Sequence, residues 1–99
     1  MCDDAIASVA RDFELGQIVA TPAALAALER AGQTATELLA RHARGDWGEL
    51  STEDAKANDD AVVNIERILS SYSLVDDTKI WIITEADRSV TTILLPEDY

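Results

Sequence analysis

The stretch Lys79-Ile80-Trp81-Ile82-Ile83-Thr84-Glu85 constrains the fold more than any other part of this chain. It is the densest run of β-branched and aromatic residues, and Ile80 to Ile83 leave neither face polar. A run of this kind and length fits a strand covered on both faces better than a helix. The segments on either side alternate as half-buried strands do. Ile68, Ser70, Tyr72 and Leu74 alternate with Leu69, Ser71 and Ser73, and Val90, Thr92 and Leu94 alternate with Thr91, Ile93 and Leu95. Residues 75–78 and 86–89 read as turns, and Pro96 closes the last strand. The expectation is a three-stranded antiparallel meander over 68–74, 79–85 and 90–95.

Upstream, the helical signals are local and specific. Ile6, Val9, Ala10 and Phe13 form one stripe and predict a short helix over 3–13. Gly16 redirects the chain into a short strand over 17–20. Thr21-Pro22 then starts a helix, which Gly32 ends. Leu25 and Leu28 are expected on its buried side. Thr34 and Glu37 fit a capping box for a second helix, with Leu38 and Leu39 inward and Gly45 at its end. Between Gly45 and Gly48, Trp47 is expected to fold back onto the core. Ser51 or Thr52 caps a third helix, with Ala55, Asn58, Val62 and Ile65 at helical spacing. The reading is an α+β fold, residues 1–99 as a single domain, with helices on one face of a small antiparallel sheet that ends in the meander. The expected core includes Leu25, Leu28, Leu38, Val62, Ile80, Ile82 and Ile93.

Charge bounds the function. Nineteen acids against eight Lys plus Arg leave the chain at −11. That balance repels phosphate backbones, so direct nucleic-acid binding is not expected, while basic protein surfaces are attracted. No apolar run approaches the ~20 residues of a membrane span. The acidic N-terminus lacks the basic start of a secretory signal, and Cys2 has no second cysteine to pair with. A cytoplasmic protein is the expectation.

The chemistry-bearing residues are sparse. His42, the single histidine, stands within eight residues of Asp46 and Glu49, too few ligands for a metal site. Ser–His–Asp catalysis has its residue types but no nucleophile elbow. No cofactor is expected. Glu85, Asp87, Arg88 and Thr91 gather at the turn after the central strand. The alternative reading, a small toxin-like nuclease or hydrolase, would use Glu85, Arg88 and His42. The order of elements is similar to that of small ribosome-dependent ribonuclease toxins, but these hold RNA on basic surfaces and this chain is acidic. Between Asp46 and Glu66 lie seven acids and one base, Lys56. Carboxylates spaced along a helix can stand in for phosphates in a basic groove.

Three stretches taken together carry a resemblance: Leu15 to Pro22, Arg41-His42 with Gly45-Asp46-Trp47-Gly48, and Trp81 to Ser89. They resemble a family of short bacterial plasmid- and mobile-element-related proteins, some labelled type I restriction subunits. The resemblance implies a mobile-element context and no particular chemistry. The glycine-rich cofactor loop and Asn/Asp-Pro-Pro-aromatic motif of a methyltransferase subunit do not occur in this sequence. Where that family often has a glycine pair before the first meander strand, this chain has Asn64-Ile65-Glu66-Arg67. The expected function is therefore a non-catalytic protein-interaction module whose contact face includes Asp46, Glu49, Glu53, Asp54, Asp59 and Asp60. Its partner would be the basic surface of a protein, such as a nucleic-acid-binding restriction or CRISPR complex.

Overall fold

The computed structural model of the chain describes residues 13–99, so the expected N-terminal helix lies, but for Phe13, outside the described residues. The elements follow in the order β1 (Gln17–Ala20), α1 (Pro22–Ala31), α2 (Ala35–Ala43), α3 (Thr52–Asn64), β2 (Ile68–Ser73), β3 (Lys79–Thr84) and β4 (Val90–Leu94), with a short 3-10 turn at Pro96–Asp98. Among the described residues, three α-helices and one four-stranded sheet make an α+β fold.

Each helix starts where a side-chain oxygen can take an orphan backbone N–H. Thr21 accepts from Ala24 N at 3.1 Å, and Pro22 occupies the first turn, where a missing N–H costs nothing. Thr34 and Glu37 form the reciprocal capping box. Ser51 accepts from Asp54 N at 3.1 Å.

The sheet order is β1-β4-β3-β2. The meander pairs antiparallel, Ile82 lying opposite both Ser70 and Ile93. β1, however, runs parallel to β4, so the sheet is mixed and not wholly antiparallel. The long connection through three helices lets β1 lie beside the last strand with the same direction. Gly16 makes the entry possible: its φ is +67°, and a Cβ there would overlap the carbonyl oxygens of Arg88 and Ser89.

One sheet face receives the helices. Ile68, Ser70 and Tyr72 of β2, Ile80, Ile82 and Thr84 of β3, and Thr91 and Ile93 of β4 are all buried. One apolar cluster joins Ala24, Ala27, Leu28 and Leu38 to Tyr72, Ile80, Ile82 and Ile93. A second joins Phe13, Leu15, Ala43, Trp47, Ala61 and Ile68. Leu39 touches both.

Two expected core positions differ. Leu25 is 53% exposed, because α1 buries Ala24, Ala27 and Leu28 and turns Leu25 outward. Alanines on the inner stripe let the helix approach the sheet closely. Val62 is half-buried, and Ile65 ends the stripe of α3 by leaving it. Ile65 adopts φ 58° as the C-cap and is 65% exposed. That left-handed conformation is one a β-branched residue rarely takes.

The outer edge of β2 is closed by the chain itself. Ser71 N–H donates to Trp47 O, and Glu49 N–H donates to Ser71 O. The Asn58 carboxamide then acts as one more strand residue: its Nδ2 donates to Leu69 O at 2.6 Å, and its Oδ1 accepts from Leu69 N at 3.3 Å. Covered edges do not recruit foreign strands.

Candidate partner-binding face

Segment 46–60 is tied to β2 by hydrogen bonds, and its acids divide by what they touch. Tyr72, buried in the sheet, donates its hydroxyl to Asp46 O at 2.7 Å and so anchors the turn before α3. Burial pushes that phenol up to about 12. Gly48 fits because a Cβ would overlap the Ser71 carbonyl oxygen. Trp47 is buried as expected, and its indole N–H donates to Asp59 Oδ1 at 2.9 Å. Asp59 therefore ties α3 to the turn, a role invisible across twelve residues of sequence.

Asp46 accepts from Arg41 Nε at 2.7 Å, and this bond holds its carboxyl below the usual range. Glu49 pairs with Lys79 and accepts from Ser73 Oγ at 2.9 Å, and is likewise lowered, chiefly by Lys79. These two carboxylates already have cations. Glu53, Asp54 and Asp60 do not: among the described residues, none of them makes a salt bridge, and all three are exposed. Of the six expected contact residues, three are thus free on α3, and the other three also serve the fold.

Glu53 and Asp60 share the outward face of α3, seven residues and about 10.5 Å apart along the axis. Asn58 and Ala61 face the sheet. Glu53 and Asp54 also stand in the first turn, where carboxylates favour the helix.

His42 stands in the last turn of α2, and its side chain is wholly buried. Its Nδ1 lies 2.5 Å from Ser70 Oγ, and its Nε2 lies 2.9 Å from Thr84 Oγ1. Thr84 Oγ1 is 2.8 Å from Thr91 Oγ1, and Thr91 donates to Leu15 O at 2.6 Å. Each hydroxyl has one proton, so with the buried imidazole neutral this chain has one consistent set of donors. Thr91 gives to the carbonyl, Thr84 to Thr91, His42 Nε2–H to Thr84, and Ser70 to Nδ1. The imidazole is then neutral with both nitrogens satisfied. Burial lowers its pKa to about 3.

The Ser70–His42 contact has the atoms of a nucleophile and a base, but both residues have 0% exposure. Arg88 is not free either. Its Nη1 donates to the carbonyls of Glu66, Glu85 and Ala86, and its Nη2 to Ala61 O at 3.1 Å. It thereby caps the C-terminal carbonyls of α3, where a cation complements the dipole. Glu85 faces Arg67 at 3.6 Å. The structure thus uses His42 in the core and Arg88 as a helix cap, and does not direct them to one reacting point. Among the described residues no group of three or more metal-ligating side chains forms. No described helix is long and apolar enough to cross a membrane.

Comparison with family models, with curated proteins and with solved structures finds no significant match.

Proposed function

We propose that this chain is a non-catalytic interaction module that presents the outer face of α3 to a basic protein surface. In its most concrete form it is a mobile-element inhibitor of a nucleic-acid-handling defence complex, such as a restriction or CRISPR effector, and acts by phosphate mimicry. The observation that carries this reading is the contrast among the acids. Asp46 and Glu49 are neutralised by Arg41 and Lys79, while Glu53, Asp54 and Asp60 stand exposed and make no salt bridge among the described residues, on a helix tied at both ends. The net charge of −11 steers such a module toward cationic grooves.

The test compares capture of host proteins by the wild-type chain and by a Glu53→Lys/Asp54→Lys/Asp60→Lys variant, with Asp59 left intact because it holds Trp47. A nucleic-acid-handling protein retained by the wild type, released by rising salt and absent from the variant supports the reading. Equal retention by both proteins, indifferent to salt, contradicts it. A Glu53→Gln/Asp54→Asn/Asp60→Asn variant guards against a helix weakened by lysines at its N-terminus.

A further inference from the structure

We infer that the acidic face takes an arginine side chain of its partner into a cleft beside α3, an inference that rests on the reading just proposed. The cleft, of about 280 Å³, is lined by Leu50, Asp54, Ala57, Asn58 and Leu69. It lies where the loop before α3, the outer turns of α3 and the edge of β2 meet. Leu50 and Leu69 are half-buried and supply apolar walls, and Asp54 and Ala57, both exposed, line its solvent side. The Asn58 carboxamide is oriented by its two bonds to Leu69 N and O, which leaves one Nδ2–H for the cleft wall. The site is thus two apolar walls with one carboxylate that makes no salt bridge among the described residues.

Its size falls below the ~300–1,000 Å³ of small-molecule sites and suits a single long side chain. Charge decides which one. Lysine and arginine both offer an apolar stem that can lie along leucines and a cation for the rim. The guanidinium is planar, less strongly hydrated and able to meet a carboxylate with two parallel N–H bonds. Four of the chain's cations are used elsewhere: Arg41 on Asp46, Lys79 on Glu49, Arg67 on Glu85 and Arg88 on carbonyls. Lys56, the one base on α3, makes no salt bridge among the described residues and competes for Asp60 at i+4 more than for Asp54. Asp54 forms a salt bridge with none of these cations. In the complex, Glu53 and Asp60 supply long-range attraction, and the cleft supplies the choice of arginine.

The test titrates the full chain with two capped alanine-based peptides, one carrying three spaced arginines and the other three lysines, at low salt, followed by amide NMR. The arginine peptide is expected to shift Leu50, Asp54, Ala57 and Leu69 and to bind about ten-fold tighter, the gain of one good charge-assisted contact. Ala57→Phe, a change at an exposed position that fills the cleft, should remove that preference, and so should Asp54→Asn. Glu53→Gln with Asp60→Asn should weaken both peptides by the same factor. Equal binding of the two peptides, unchanged by Ala57→Phe, overturns the cleft while leaving the acidic face in place. If neither peptide binds in a salt-dependent way, the acidic-face reading falls and the cleft falls with it.

Discussion

Acid should destabilise this fold well above the pH at which its carboxylates protonate, because one imidazole has to stay neutral. His42 has 0% exposure, and both its nitrogens are committed to a chain of hydroxyls that ends on Leu15 O. Its pKa falls from 6.5 to about 3 on folding. The unfolded chain therefore binds the extra proton throughout that window, and stability is complete above pH 6.5 and lost as pH falls toward 3. Each pH unit within the window costs about 1.4 kcal/mol, so moving from about pH 7.5 to about pH 5 removes roughly 2 kcal/mol. The lowered carboxylates, Asp46 among them, also add stability that is lost in acid, but only below the ordinary carboxylate range. Between about pH 5 and 7.5 the histidine term thus stands largely alone. Urea unfolding followed by the fluorescence of buried Trp47 reads the loss as a midpoint shift of about 1–2 M, at the m value expected for a small domain. His42→Gln, which keeps a donor and an acceptor, should be less stable at neutral pH and should lose most of the pH dependence. An equal drop in wild type and variant would refute the neutral buried imidazole and the proton assignment built on it.

Further predictions concern the edge of the sheet and the end of α3. Asn58→Ala strips two hydrogen bonds from the Leu69 backbone and should cost about 2–3 kcal/mol in urea unfolding, with faster amide exchange at Leu69. Ile65→Gly should stabilise by about 1 kcal/mol, since Ile65 pays for φ 58° and buries little; a loss of stability would mean that its exposed side chain has a contact of its own. Gly48→Ala should unfold the chain at 37 °C or cost at least several kcal/mol, as a Cβ meets the Ser71 carbonyl.

Local signals carried most of the fold. The meander boundaries and all three helix caps rest on neighbouring residues, and the sequence shows them directly. What it shows less well depends on distant partners. β1 was legible as a strand, but its parallel place beside β4 follows from where three helices leave the chain. On α1, size suggested Leu25, yet the stripe is Ala24, Ala27 and Leu28, because close approach to the sheet favours methyl groups. His42 sits four residues after Leu38 on the inner stripe of α2. Ser70, Thr84 and Thr91 interrupt the inward apolar rows of three strands. Those three hydroxyls called for an internal partner, and the single histidine was available. The acids were legible as a group, but not which were free: Lys79 and Trp47 reach Glu49 and Asp59 only in the folded chain.

Displacement of DNA is the most direct measurement of the central claim. With a labelled duplex bound to the captured partner, wild-type chain should release it, and the apparent affinity should fall steeply as salt rises. The Glu53→Gln/Asp54→Asn/Asp60→Asn variant, with an unchanged unfolding midpoint, should leave the duplex bound. If the wild-type chain binds the partner while the duplex stays in place, or if the neutralised variant releases it equally well, phosphate mimicry by α3 is contradicted.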